Sequence, residues 1–332
     1  MKLIVQIPCY NEEQTLPLTV RDIPRNISGV DRVELLVIDD GSSDNTVEVA
    51  REIGVDHVIQ HKCNRGLART FRTGIDACLK LGADIIVNTD GDNQYAGQDI
   101  PKLIQPILDG QADFVVGDRN TSKILHFSRS KKFLQAIGSK VVRKLTDIDV
   151  PDAVSGFRAF SRNAALQLNV VSPFSYTVET LIQAGKKHIA VATVAVGTNS
   201  KTRESRLFKS IPQFIGKSAA TLLRMYAMYQ PLRVFATISL ILLVVGCAPI
   251  VRYLFFYFSG DSSGHLQSLI LGGVLVHMGF LSGLVGMVAD LISFNRQLIE
   301  MTLEKTRKME LAVMRLELDK SQSESERKSS DA

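Results

Sequence analysis

Val33-Glu34-Leu35-Leu36-Val37-Ile38-Asp39-Asp40-Gly41-Ser42-Ser43-Asp44 decides the fold: a short, nearly unbroken apolar run ends abruptly in a polar cluster. A run this short, rich in branched residues and closed by turn formers, predicts a strand buried on both faces. The pattern recurs along the N-terminal part of the chain. Similar runs occupy 3–8, 57–60, 84–89 and 113–117, while apolar residues at 12–23, 44–53, 67–81 and 99–108 return at near-helical spacing. Strands alternating with helices predict an α/β domain, a mostly parallel sheet with helices on both faces. Such sheets bind ligands beyond the carboxyl ends of their strands. The clusters at 8–12, 39–44 and 89–94 stand at those ends. Gly, Asn and Asp also favour plain turns, so one cluster alone would be a turn. Three at successive strand ends make a site.

The chain has 332 residues, about two structural units by length. With 45% apolar and 22% charged residues it is not a disordered chain, and its net charge of +5 does not choose among anionic partners. The mean hydropathy of +0.09 lies between that of a soluble enzyme and that of a polytopic transporter. The four cysteines, Cys9, Cys63, Cys78 and Cys247, have neither zinc-site nor disulfide-framework spacing, which fits a reducing cytosolic setting. The first apolar run, 3–7, is too short for a signal peptide and is stopped by Pro8.

A second part begins near Lys201. Residues 201–233 hold seven basic side chains against the single acid Glu204, with Leu207, Ile211, Phe214, Ile215, Leu222 and Met225 at helical spacing. This basic amphipathic pattern suits an anionic membrane surface. Residues 234–251 and 262–289 then carry no formal charge, and each is long enough to span a hydrocarbon layer of about 30 Å. The link 259–265 lacks Lys and Arg, whereas Arg224, Arg233, Arg296, Lys305 and Arg307 flank the outer ends. The positive-inside rule therefore puts both termini and the N-terminal domain on the cytoplasmic side of an integral membrane protein. Arg252, beside Tyr253, Phe255, Phe256 and Tyr257, can snorkel to the opposite interface. His277 is expected at a helix contact, and Gly279-x-x-x-Gly283 permits close helix packing, which includes a homo-oligomer. The expected organisation is a catalytic domain over 1–200 and a juxtamembrane segment over 201–231. A transmembrane hairpin over 232–294 (about 232–258 and 264–292) follows, then a charged helix with a disordered tail over 295–332.

Asp90-Gly91-Asp92, followed by Gln94, sets hard oxygen ligands at a strand end. That donor set suits Mg2+ or Mn2+ on a diphosphate. Taken alone, an Asp-x-Asp pair is weak. In order along the chain, however, stand Pro8-Cys9-Tyr10-Asn11-Glu12, Ile38-Asp39-Asp40-Gly41-Ser42-Ser43-Asp44, Asn64-Arg65-Gly66-Leu67-Ala68 with Gly74, Asp90-Gly91-Asp92-Asn93-Gln94 and Ser155-Gly156-Phe157-Arg158. This set resembles the signature of family 2 inverting glycosyltransferases over most of 1–198. With the C-terminal hairpin it is most similar to the branch containing dolichol-phosphate mannose synthases and bacterial polyprenyl-phosphate glucosyltransferases.

The resemblance implies a GT-A-like fold and a metal-dependent hexosyl transfer from a nucleotide sugar to a polyprenyl phosphate. Pro8, Tyr10, Asn11 and Glu12 would line the nucleotide pocket, Asp39 would accept from the base, and Asp40 would support that loop. Asp90 would face the ribose or sugar, with Asp92 and Gln94, and Asp90 beside them, on the metal. Arg119, Arg129, Lys131 and Arg203 would hold the acceptor phosphate, while Gln135 stands where the family often has serine. UDP-glucose or another UDP-hexose is the favoured donor, and GDP-mannose the alternative.

The acceptor chemistry fits independently. A phosphate monoester, with its second pKa near ~6, is already largely dianionic at neutral pH, so it needs cations rather than a general base. Asp152 and Glu179 each remain open between a base and a structural role. The absent tryptophan removes the Gln-x-x-Arg-Trp motif of processive synthases, and the first strand turn lacks the Gly-x-Gly-x-x-Gly of dinucleotide enzymes. A nucleic-acid protein is disfavoured because the basic residues concentrate beside the apolar spans. A membrane scaffold that binds a nucleotide sugar without turnover is the reading from a different class.

Overall fold

The structure, a computed structural model, describes residues 1–119, 148–171, 176–199, 228–260 and 265–330. The chain divides into two compact units, one of residues 1–217 with 303–332 and one of residues 218–302.

Seven strands form one sheet in the first unit: β1 (Lys2–Cys9), β2 (Arg32–Asp39), β3 (His57–Gln60), β4 (Ile85–Asn88), β5 (Phe114–Asp118), β6 (Arg158–Ser161) and β7 (Val191–Ala195). Their order is β3-β2-β1-β4-β6-β5-β7. Neighbours pair in parallel except at β6, which runs antiparallel to both β4 and β5. The register matches Cys9 with Asp39 and Gln6 with Asn88, so β1, β2 and β4 end along the same edge.

Helices cover both faces, as a sheet with fully buried central strands requires. They are α1 (Leu16–Asp22), α2 (Thr46–Glu52), α3 (Leu67–Lys80), α4 (Ile100–Leu108), α5 (Arg162–Gln167) and α6 (Tyr176–Lys186). One face is built from alternate strand residues, Leu3, Val5, Ile7, Leu35, Val37, Ile85 and Val87, packed with Leu16, Ile100, Leu103 and Ile104. Each such side chain contributes about 1.5–3 kcal/mol by leaving water. The sequence pattern locates β1 to β5 and α1 to α4; β6 and β7, the latter inside the apolar run 189–196, are added by the structure.

The second unit is built around α7 (Pro231–Phe258) and the first part of α8 (Leu266–Ser330). Both are long and apolar enough to cross a membrane, yet only 11% and 17% of their most apolar stretches are buried, unlike core helices of a soluble domain. They touch through small residues: Gly279 and Gly283 face Ser239 and Leu243 of α7, and Gly272 faces Ile250 and the Gly246 carbonyl. The Gly279/Gly283 surface is thus occupied within one chain. His277 departs from expectation and is exposed on α8 rather than seated in the contact. Rings and cations mark both ends of the pair: Arg252 lies 5.9 Å over Phe256, and Arg296 lies 4.4 Å over Tyr229. The polar stretch after 320, expected to be disordered, continues α8 to Ser330. No Gly or Pro follows Gly286, so nothing in the chain breaks the helix there.

Candidate active site

The ends of β1, β2 and β4 carry the acidic clusters. After β1 the chain turns through Asn11, whose φ of 56° is left-handed and whose amide donates to Ser42 Oγ at 2.8 Å. Asn11 Oδ1 accepts from the Ser43 amide at 2.8 Å, and the Glu12 amide donates to Thr46 Oγ1 at 2.9 Å. The first two clusters are therefore tied together. Glu12 is itself buried and accepts from Thr15 Oγ1 at 2.6 Å, while Tyr10 is exposed and Pro8 buried in the strand.

Asp39 and Asp40 are both buried. Asp39 accepts from the Ser42 amide through both oxygens, at 3.3 and 3.2 Å. Asp40 collects the next loop: it accepts from the amides of Arg65 at 2.9 Å and Gly66 at 2.8 Å and pairs with His61 Nδ1 at 2.8 Å. Against the Asp40 carboxylate Nδ1–H is the donor, and Nε2 lies 3.1 Å from Thr73 Oγ1. Gly41 has φ 72°, and a Cβ there would lie 2.7 Å from the Cys63 carbonyl carbon, so only glycine lets this loop close over the strand end. An open cleft of about 340 Å3 lies between Gly41 and Ser42 on one side and Gln60, His61 and Lys62 on the other.

Asp90, Asp92 and Gln94 are half-buried beyond β4. Asp92 Oδ1 accepts from the Gln94 amide at 3.2 Å, and Thr19 Oγ1 holds the Gly91 carbonyl at 3.2 Å. Beneath them, Cys9 reports the local field: burial first, then Glu12, Asp39, Asp90 and Asp44, push its thiol well above the ordinary range. Several carboxylates thus surround one spot, a field that favours a cation. Among the described residues no three His, Cys, Asp or Glu side chains converge to cage an ion unaided. The Asp and Gln oxygens still fit Mg2+ or Mn2+, which bind through one or two carboxylates with substrate phosphates completing the shell.

Arg119, just past β5, makes a two-pronged bond to Asp152: Nε to Oδ2 at 2.7 Å and Nη2 to Oδ1 at 3.0 Å. Its guanidinium also lies 5.7 Å over the Tyr95 ring. Burial works against its charge, but Tyr95, Asp152 and Asp90 hold its pKa above the usual range. Asp152 is fully buried and engaged in this pair. Glu179 is buried in the first turn of α6 and accepts from the Val171 amide at 3.2 Å. Arg129, Lys131, Gln135 and Arg203 lie outside the described residues.

The structure adds site members that the sequence reading passed over. Tyr95 Oη accepts from the Gly156 amide at 2.8 Å, and Asn88 Nδ2 donates to the Gly156 carbonyl at 2.8 Å and to Tyr176 Oη at 3.2 Å. Burial and then Asp90 push the Tyr176 phenol well up, which puts it close to that carboxylate. Tyr95 directly follows Gln94 and was findable by position. Tyr176 and His61 had no such signal.

This sheet order, with one antiparallel strand and a carboxylate pair past its fourth strand, is that of a GT-A-like fold. The chain belongs to glycosyl transferase family 2, whose model matches residues 4–168. It is 30% identical over 213 residues to the UDP-N-acetylglucosamine–dolichyl-phosphate N-acetylglucosaminyltransferase of Methanococcus voltae, covering 58% of this chain and 83% of the relative. It is 28% identical over 184 residues to the undecaprenyl-phosphate mannosyltransferase of Micrococcus luteus, covering 53% and 74%. Among solved structures, glucosyl-3-phosphoglycerate synthase from Mycobacterium tuberculosis with Mn2+ and UDP-glucose matches with a TM-score of 0.53. At 20% identity over 68% of this chain and 78% of that one, the likeness is one of fold.

Proposed function

We propose that this chain is an inverting, divalent-metal-dependent glycosyltransferase that moves a hexose from a nucleotide sugar to a polyprenyl phosphate at the cytoplasmic membrane face. One observation carries the reading: an acidic cluster at the strand ends, Asp39 and Asp40 after β2 and Asp90 and Asp92 beyond β4, and two exposed apolar helices of membrane-crossing length occur in one chain. The lipid-phosphate acceptors named for the Methanococcus and Micrococcus relatives support it. UDP-glucose or another UDP-hexose is the favoured donor, in line with the UDP sugar named for the Methanococcus relative. GDP-mannose is the second reading, favoured by the mannosyltransferase name of the Micrococcus relative.

In this reading Asp39 accepts from the base, Asp40 holds the loop beside it, and Pro8, Tyr10, Asn11 and Glu12 line the nucleotide. Asp90, Asp92 and Gln94 would hold Mg2+ or Mn2+, whose charge would neutralise the departing diphosphate. Arg119, Arg129, Lys131 and Arg203 grip the acceptor phosphate, arginine's planar fork matching two phosphate oxygens. A phosphate oxygen attacks the anomeric carbon opposite the nucleotide. The bond to the diphosphate oxygen breaks and its electron pair leaves with the nucleoside diphosphate. No proton is removed, so Asp152 and Glu179 serve structure. Residues 1–200 form the catalytic domain, 201–231 the juxtamembrane segment, 232–294 the transmembrane hairpin and 295–332 a cytoplasmic end.

The test incubates the full chain with polyprenyl phosphate, Mn2+ or Mg2+, and radiolabelled UDP-glucose, UDP-N-acetylglucosamine or GDP-mannose. Label should become lipid-extractable with one donor, and EDTA or Asp92→Ala should abolish transfer while the protein stays folded. Undiminished transfer in EDTA sinks the metal role. Donor binding without lipid-extractable product makes the protein a scaffold instead.

A further inference from the structure

The chain leaving β7 is bonded to the loop that follows β4. The Gly197 amide donates to Asp99 Oδ2 at 2.6 Å, Thr198 forms an antiparallel bridge with Tyr95, and the Asn199 amide donates to the Gln94 carbonyl at 3.0 Å. The Asn199 side chain goes further. Its Nδ2 faces three acceptors, Asn93 Oδ1 at 3.2 Å, the Tyr95 carbonyl at 3.3 Å and Asp22 Oδ2 at 3.5 Å. Asp22 Oδ2 also accepts from the Gly97 amide, so one carboxylate and one amide together staple the loop from both flanks.

Asn93 is the residue between Asp92 and Gln94, and its φ of 57° is left-handed. A side chain in that region is strained unless its surroundings hold it. Asn tolerates it better than most residues, and here Asn199 grips its side-chain oxygen. Asn199 therefore touches the turn that decides how Asp92 and Gln94 point, without being able to act as a further carboxylate ligand itself.

We infer that Asn199 is a positioning residue for the metal-binding loop, fixing the left-handed turn at Asn93 so that Asp92 and Gln94 face one ion. The inference rests on the metal reading above. Partners that orient ligands typically carry about 10–100-fold in metal affinity. The backbone N–H of Asn199 that bonds Gln94 is kept in an alanine variant, so Asn199→Ala isolates the side-chain amide.

The experiment measures Mn2+ binding to the full chain in detergent by electron paramagnetic resonance, with UDP and separately GDP present. Asn199→Ala should weaken Mn2+ binding about 10-fold or more. Its melting temperature in EDTA should match the unsubstituted chain, and kcat should recover at saturating Mn2+. Asn93→Gly, comfortable at that φ, removes the same contact from the other side and should also weaken binding. The double variant should bind no worse than Asn199→Ala, because both remove one shared interaction. Unchanged Mn2+ affinity in Asn199→Ala, or losses that add in the double variant, would overturn the inference while leaving the metal reading intact. If Asn199→Ala does not fold, Asn93→Gly decides alone: wild-type affinity there overturns the inference. Failure of the unsubstituted chain to bind Mn2+ with either nucleotide overturns the metal reading and the inference with it.

Discussion

Two arginines near the sheet's carboxyl edge use their charge in opposite ways. Arg158 is fully buried, donating to the carbonyls of Ser155 at 2.7 Å, Thr177 at 2.7 Å and Ala153 at 2.8 Å, and to Thr180 Oγ1 at 2.6 Å. Burial pulls its pKa down to about 10. It is a brace for the 153–156 turn. Arg119 is held charged, with a carboxylate fixing its plane. Breaking such a pair leaves an uncompensated charge, so Asp152→Asn should lower thermal stability and let the Arg119 fork wander. A misplacement of about 1 Å can cost on the order of 10²-fold in rate. We expect that loss in lipid-phosphate transfer, with the acidic limb of the pH profile unmoved. A kcat/KM profile that loses that limb would make Asp152 a proton acceptor instead. Sequence alone left both roles open, because nothing in the spacing from Arg119 to Asp152 says that the two side chains meet.

At the scale of elements, legibility followed burial. Strands β1, β2 and β4 are nearly all buried, so their apolar runs stand out. β6, Arg158-Ala159-Phe160-Ser161, begins with a buried arginine and reads as surface by composition; its pairing with β4 and β5 on either side, and four hydrogen bonds from the Arg158 side chain, make it a core strand. β7 lies at the sheet's edge, half-buried or exposed, inside the apolar run 189–196, a signal as strong as those of the other strands that the reading did not separate. The helical pair was legible by charge and length, but not which of its glycines matter. A Cβ on Gly272 would lie 2.4 Å from Ile250 Cγ1 and 2.8 Å from the Gly246 carbonyl, whereas one on Gly273 meets nothing within 4 Å. Overfilling a close contact costs about 1–3 kcal/mol. Gly272→Leu should therefore lower the melting temperature in detergent, and Gly273→Leu, one position away, should leave it near wild type. Equal effects from the two would mean that the contact between α7 and α8 does not hold the hairpin.

For the whole molecule, the reading requires the carboxylate mouth to sit on the cytoplasmic side, and the four cysteines offer a test. Cys9 and Cys78 are buried, and burial pushes both thiols up, so neither presents a reactive thiolate at neutral pH. Cys63 is exposed, on the loop that closes over Gly41 beside the open cleft. Cys247 is exposed on α7, within the stretch read as spanning lipid, where a charged reagent does not reach. A membrane-impermeant maleimide should therefore label inverted membrane vesicles at Cys63 and leave sealed cells unlabelled. Cys63→Ser should remove the signal, and Cys247→Ser should not. If the wild-type chain is instead labelled at Cys63 from outside sealed cells, the basic flanks have been assigned to the wrong side. The donor, a cytosolic metabolite by class, could then not reach the Asp90–Asp92 mouth, and the proposed transfer would fail on topology alone.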